Sequence, residues 1–178
     1  MASRDLTGVL LVGGASRRFG SPKALARIDG KTFAEHAWGI LGEACEQRLA
    51  FGKAADELPL PFAYSDDGFD VRAPLAGVVA GLRAARNQVC VFVPVDVPFA
   101  TSELVRALGD ACTQAAVPQT GPLPGAFARS ALPVFQRRLD AGDLSLREAI
   151  AELDSVTVEL DPAQLVNINF PSELVPQP

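Results

Sequence analysis

The chain reads as an α/β protein built on a mainly parallel sheet with helices on both faces, in one domain spanning residues 1–178. Two short apolar runs rich in branched residues, 7–12 (TGVLLV) and 88–93 (QVCVFV), read as fully buried strands. Each run ends abruptly in turn residues, Gly13-Gly14 after the first and Pro94-Val95-Asp96-Val97-Pro98 after the second. Between and beyond them, segments of helical periodicity alternate with further strand-like runs, the pattern of crossover connections between parallel strands.

The elements follow in order. A helix is expected from Thr32, which caps it, with Glu35 three residues on completing a capping box; Phe33, Ala37, Leu41 and Ala44 share its inner face. Residues 48–51 and 62–64 are the expected second and third strands. Pro74 suits the first turn of a helix running to about Arg86. After the 88–93 strand, Thr101 caps a helix to about Cys112, and Glu103 in its first turn favours the helix dipole. Shorter strands are expected at 115–117 and 125–128, separated by a loop with three prolines and one glycine at 118–124. Ser145 and Glu148 form a second capping box for a helix at 146–153, and 155–160 (SVTVEL) alternates like a strand with one wet face.

Composition narrows the function classes. Hydrophobic residues make up 48% of the 178, enough for a core. A domain of this length buries roughly 70% of the surface its unfolded chain exposes. No apolar run approaches the roughly 20 residues that cross a bilayer, and the amino terminus has no cleavable signal pattern, so a cytoplasmic protein without membrane contact is expected. Cys45, Cys90 and Cys112 are odd in number and widely spaced, which fits buried thiols in a reducing compartment. A net charge of -5 argues against general nucleic-acid binding. Yet residues 14–28 hold four basic side chains, Arg17, Arg18, Lys23 and Arg27, and no acidic one, a local excess suited to a small anion.

In open parallel sheets ligands sit outside the carboxyl ends of the strands, so Gly13-Gly14 and Asp96 are expected to share one crevice. The stretch Leu11-Val12-Gly13-Gly14-Ala15-Ser16-Arg17-Arg18-Phe19-Gly20-Ser21-Pro22-Lys23 joins glycines, which let backbone N–H groups approach a phosphate, to cations that neutralise it. It is neither a P-loop, since Ser21-Pro22 displaces the lysine from Gly20, nor a G-x-G-x-x-G fingerprint. Asp96, a carboxylate past a buried strand and between two prolines, is placed to hold Mg²⁺ together with substrate phosphates. In Tyr64-Ser65-Asp66-Asp67 a carboxylate is available to a base or sugar, or is a solvated turn. Asn167 and Asn169 flank Ile168 and project to one side in extended chain, as partners for a polar heterocycle or as turn residues. His36, in the first turn of its helix, is expected at the core edge and not as a catalytic base.

Taken in order, these pieces resemble the molybdenum cofactor guanylyltransferase family. Its signature L-A-G-G-x-S-x-R-M-G-x-x-K stands here as the 11–23 stretch, its G-P-L-A-G as Ala73-Pro74-Leu75-Ala76-Gly77, and its C-D-x-P-[FY] as Val95-Asp96-Val97-Pro98-Phe99. The closing N-x-N-T-P-E-[DE]-L stands as Asn167-Ile168-Asn169-Phe170-Pro171-Ser172-Glu173-Leu174. The resemblance covers nearly the whole chain. It implies a Rossmann-like three-layer sandwich of the nucleotide-diphospho-sugar transferase type and an enzyme that transfers GMP from GTP to molybdopterin, with Mg²⁺ as cofactor and pyrophosphate as product. Leu11, Val12, Gly13, Gly14 and Gly77 then contact the nucleotide, Arg18 and Lys23 its phosphates, and Asp66 the nucleoside. Asp96 holds the metal, and Asn167 and Asn169 lie on the molybdopterin side. Transient contacts with other molybdenum cofactor proteins are implied as well. Three alternatives stay open on the residues alone: cytidylyl transfer to molybdopterin, nucleotidyl transfer to a phosphorylated sugar or metabolite, and a nucleotide-binding relative without turnover.

Overall fold

The structure, a computed structural model, describes residues 5–13 and 22–169. Strand β1 (Leu6–Leu11) is buried along its whole length. From residue 22 on come a short 3-10 turn, Lys23–Leu25, and a small hairpin of β2 (Arg27–Ile28) and β3 (Lys31–Thr32). Helix α1 (Phe33–Ala44) begins as expected. The Thr32 hydroxyl accepts from the Glu35 N–H at 3.1 Å, and the Glu35 carboxylate accepts from the Thr32 N–H at 2.8 Å. Strand β4 (Gln47–Gly52), β5 (Ser65–Asp66), α2 (Pro74–Ala84), β6 (Val89–Pro94) and α3 (Ser102–Ala111) follow. The carboxyl-terminal third holds β7 (Ala115–Pro118), β8 (Gly125–Ala128), α4 (Leu132–Asp140), α5 (Leu146–Ala151) and β9 (Ser155–Val158).

Seven strands form one sheet in the order β5-β4-β1-β6-β8-β7-β9. Four pairings are parallel and two antiparallel, because β8 alone runs against its neighbours β6 and β7. Period-two alternation divides the core between the faces. In β1, Leu6 and Leu10 enter the layer with α1 and α3, while Val9 and Leu11 enter the layer with α2, α4 and α5. In β6, Val89, Val91 and Val93 take the first side, Cys90 and Phe92 the second. This two-sided burial explains why both segments read as continuous apolar runs.

Three expectations are corrected. The third strand is two residues, Ser65–Asp66, and lies beyond 62–64. The aromatic residues there pack across α1 instead of pairing with the sheet. Phe62 stacks on Trp38 at 4.3 Å between ring centroids, and the Tyr64 hydroxyl accepts from the Leu58 N–H. The second capping box is half made: Ser145 accepts from the Glu148 N–H, but the Glu148 carboxylate is drawn to Arg138. Strand β9, an edge strand, ends at Val158 and not at 160; Ser155, Val156 and Thr157 are exposed, while Val158 and, beyond the strand, Leu160 pack against the core. Helix α4 was not anticipated; it is nine residues long with only Phe135 and Leu139 buried, too short for its periodicity to stand out.

Candidate active site

The crevice arises where the chain changes direction. From β1 the chain crosses through α1 to β4 on one side, whereas β6 lies on the other side of β1. Strands β1 and β6 pair in parallel with Leu11 opposite Pro94, so Gly13 and Asp96 emerge side by side just past their carboxyl ends. That is the switch point at which α/β sheets bind ligands. A cleft of about 520 Å³ opens there, and Gly13, Lys53, Asp67, Gly77, Asp96 and Asn167 lie among its walls. A second concavity, about 670 Å³ in volume, opens at the opposite end of the strands between Asp5, Arg86 and Thr113 and gathers none of the residues expected to bind ligand.

Residues from three separate motifs meet at one point. Lys23 opens its 3-10 turn just past Pro22, and its ammonium donates to Asn169 Oδ1 at 2.8 Å and lies 3.5 Å from Asp96 Oδ2. The second oxygen of Asp96, Oδ1, is buried with no hydrogen-bond partner among the described residues. The 167–169 segment is pinned here because the Ile168 N–H donates to the Asp96 carbonyl at 2.8 Å and the Ile168 side chain is 1% exposed in the core. With Ile168 turned inward, both flanking asparagines are exposed, Asn167 on the cleft wall and Asn169 at Lys23. Gly14 and Arg18, like Arg17, lie outside the described residues.

Helix α2 points its amino-terminal end at the cleft through Ala73, Pro74 and Gly77. Its amino-terminal N–H groups favour a negative ligand. Glycine at 77 gives the Leu11 side chain room, since a Cβ there would stand 2.6 Å from Leu11 Cδ2 and force that side chain to shift. Leu11 itself lines the cleft floor; Val12 is 3% exposed, and its N–H donates to the Phe51 carbonyl at 2.9 Å.

The two adjacent aspartates at the end of β5 make different contacts. Asp66 accepts from the Ala54 N–H at 2.7 Å and the Gly68 N–H at 2.8 Å, and those bonds, the Ala54 one foremost, hold its carboxyl below the usual carboxylate range. Its side chain secures the turn, while Asp67 is the one that reaches the cleft wall. Asp67 Oδ1 accepts from Lys53 Nζ at 2.6 Å and from the Phe69 N–H at 3.0 Å. Sequence reasoning passed over Lys53, whose signal is its place directly after Gly52 at the end of β4. Arg72 on the rim was also missed; Asp56 holds its guanidinium at 3.0 and 2.7 Å. His36 makes a structural contact, its Nε2 lying 2.9 Å from the Ile28 carbonyl.

Among the described residues no group of three or more histidine, cysteine or acidic side chains could hold a metal ion by itself. A divalent cation at Asp96 therefore needs oxygens from the ligand, the way Mg²⁺ is usually bound beside phosphates. The bare Asp96 Oδ1 fits that role.

A parallel sheet with its switch point between a glycine turn and an aspartate, cations beside it and a helix amino terminus facing in, defines an α/β nucleotidyltransferase. The chain belongs to the family described as the MobA-like NTP transferase domain, whose model matches residues 8–156. It is 30% identical over 195 residues to a probable molybdenum cofactor guanylyltransferase of Rhodopirellula baltica, covering 98% of this chain and 92% of that protein. It is 33% identical over 195 residues to a molybdenum cofactor guanylyltransferase of Burkholderia lata, covering 97% and 95%. The fold matches the crystal structure of molybdopterin-guanine dinucleotide biosynthesis protein A from Archaeoglobus fulgidus with a TM-score of 0.81, at 23% identity and 94% coverage of each chain.

Proposed function

We propose that this nucleotidyltransferase moves GMP from GTP onto the terminal phosphate of molybdopterin and releases pyrophosphate, with Mg²⁺ bound at Asp96. The observation that carries this reading is the meeting of Lys23, Asp96 and Asn169 at the carboxyl ends of β1 and β6. It is supported by the names of the relatives that match this chain along nearly its whole length.

The reaction is an in-line displacement. An oxygen of the acceptor phosphate forms a bond to the α-phosphorus while the bond from that phosphorus to the β-phosphate oxygen breaks. The nucleophile is already anionic, so no strong base is needed. The difficulty is bringing two anions together, and fixed positive charge addresses it. Lys23 supplies a point charge at the junction. The amino terminus of α2 supplies oriented N–H groups, and Gly13 lets backbone approach the phosphates. Mg²⁺, when bound, polarises phosphoryl oxygens and stabilises the departing charge. Asn167 and the loop at 120–123, on the β6 and β7 side of the cleft, form the wall we assign to the acceptor. The Arg18 and Gly14 contacts implied by the family resemblance belong to the same proposal.

Among the described residues no helix is long and apolar enough to cross a membrane. No disulfide joins Cys45, Cys90 or Cys112 among the described residues, and Cys90 and Cys112 are buried, which supports placing the enzyme in a reducing, cytoplasmic setting, with GTP and molybdopterin as its small-molecule partners.

The test is calorimetric titration with GTP and separately with CTP in Mg²⁺, followed by a pyrophosphate-release assay with molybdopterin. Selective GTP binding and molybdopterin-dependent release are expected. Preference for CTP, or GTP binding without release, would overturn the reading.

A further inference from the structure

We infer that the buried Lys53–Asp67 ion pair reads the edge of the nucleobase and makes the site selective for guanine; this rests on the nucleotide reading above and deepens it.

The pair is the cleft's most confined set of charges, with the Lys53 side chain 11% exposed and that of Asp67 8%. Gly52, just before Lys53, packs the end of β4 closely against the start of the glycine loop: a Cβ there would stand 2.7 Å from Val12 Cγ2 and force a shift. The Lys53 ammonium donates to Asp67 Oδ1 and to the Phe69 carbonyl. An ammonium has three N–H groups, so one remains. On Asp67, Oδ1 takes the bonds from Lys53 and Phe69, while Oδ2 receives none among the described residues and is not sealed from solvent. The cleft wall thus carries a charged donor beside a charged acceptor.

The pair also clamps the turn after β5, Asp67 accepting from the Phe69 N–H and Lys53 donating to the Phe69 carbonyl. Burying an ion pair costs desolvation that its attraction often fails to repay, and a well-packed apolar pair generally serves stability as well.

The location selects the ligand part. Asp96 and Lys23 mark the phosphate end at β1 and β6, whereas Lys53 and Asp67 follow β4 and β5 on the other side of β1. From β6 to β5 is three strand spacings, about 14 Å. A nucleotide with its phosphates at Asp96 and its acceptor toward the 120–123 loop therefore extends its base toward Lys53 and Asp67. The cleft wall between the two ends is formed by Leu11, Phe51, Ala73 and Gly77, an apolar surface suited to a flat ring.

Guanine presents O6, an acceptor, beside two donors, N1–H and N2–H. The free Lys53 N–H donates to O6, and Asp67 Oδ2 accepts from N1–H and N2–H in charge-assisted bonds. Adenine, cytosine and uracil each offer the carboxylate one donor on that edge.

The experiment compares wild type with Asp67→Asn by calorimetry against GTP, inosine triphosphate, xanthosine triphosphate and 2′-deoxy-GTP. The new amide oxygen keeps the bonds from Lys53 and Phe69, so its NH₂ replaces Oδ2 as a donor. That donor suits xanthine, which has a carbonyl where guanine has its amino group. Asp67→Asn should weaken GTP on the order of 10- to 100-fold, the usual weight of a hydrogen bond to a charged group, and tighten xanthosine triphosphate. Wild type should favour GTP over inosine triphosphate and treat 2′-deoxy-GTP like GTP. A variant with a native thermal transition and an unchanged GTP-to-xanthosine-triphosphate ratio overturns the proposal. So does a loss shared equally by all four nucleotides, or one that follows the 2′-hydroxyl. If the variant does not fold, the wild type decides, since equal affinity for GTP and inosine triphosphate overturns it. Wild type that binds no GTP removes the underlying reading as well, an outcome distinct from GTP binding without base discrimination.

Discussion

The Asn169 side-chain oxygen accepts a 2.8 Å hydrogen bond from the Lys23 ammonium across 146 positions of sequence. The bond ties the phosphate-loop lysine to the segment proposed to meet the acceptor. Lys23 cannot donate the same proton to Asn169 and to a phosphate.

Asn169→Ala should therefore act chiefly on the acceptor. GTP affinity should change less than threefold, and kcat/KM for molybdopterin should fall by about tenfold or less, the scale of one ordinary hydrogen bond. Titration of GTP, set beside steady-state kinetics with varied acceptor, separates the two effects. Equal losses in both would place Asn169 on the nucleotide.

Asp96→Asn and Lys23→Met each remove one charge from the junction. Each should lower turnover by on the order of 10²–10³, the typical weight of a single electrostatic contact to developing charge. For Asp96→Asn the loss should come with a weaker Mg²⁺ dependence. Circular dichroism should show both variants folded, and a folded Asp96→Asn enzyme with normal turnover would falsify its assigned role.

The layer beneath α2 and α4 centres on Phe127, which is fully buried and meets Phe92 at 5.6 Å and Phe135 edge-on at 5.1 Å between centroids. Phe127→Ala removes the shared ring from both contacts. It should cost about 3–5 kcal/mol in urea-induced unfolding, with an unchanged slope.

Glu35 closes the α1 cap, and the backbone N–H and hydroxyl of Thr32 hold its carboxyl below the ordinary value of 4.5. A depressed folded value means the carboxylate's contribution is fully present above the ordinary value and lost as pH falls through the lower, folded one. Against Glu35→Gln, wild type should keep a constant stability difference from about pH 6 to 8 and lose it progressively below 4.5. Urea midpoints measured across that range check the sign. A difference that grows in acid would contradict it.

Much of the scaffold is legible locally. The capping box Thr32 and Glu35, Pro74 in a first turn, and the Thr101 cap each depend on residues within four positions, and each stands as read. The runs at β1 and β6 are apolar on both faces because helices cover both faces. Where local reading failed, a distant partner intervened: Trp38 drew Phe62 off the sheet edge, and Arg138 drew Glu148 from its cap. For the site, order along the chain could place Gly13 and Asp96 past strand ends, and the family resemblance pointed to Asp66, whereas the aspartate on the cleft wall is Asp67. Each carboxylate accepts from an N–H two residues on, and long-range partners set them apart: the Ala54 N–H for Asp66 and the Lys53 ammonium for Asp67.

The sequence by itself determined the class of protein, because burial, capping and the glycine turn depend on residue type and short spacing. Only the tertiary structure decided that Lys23, Asp96 and Asn169 share one point, that β8 runs antiparallel, and that Lys53 is a buried charge on the cleft wall. Those relations depend on register between strands and on which side of β1 the chain returns, and no local periodicity encodes either.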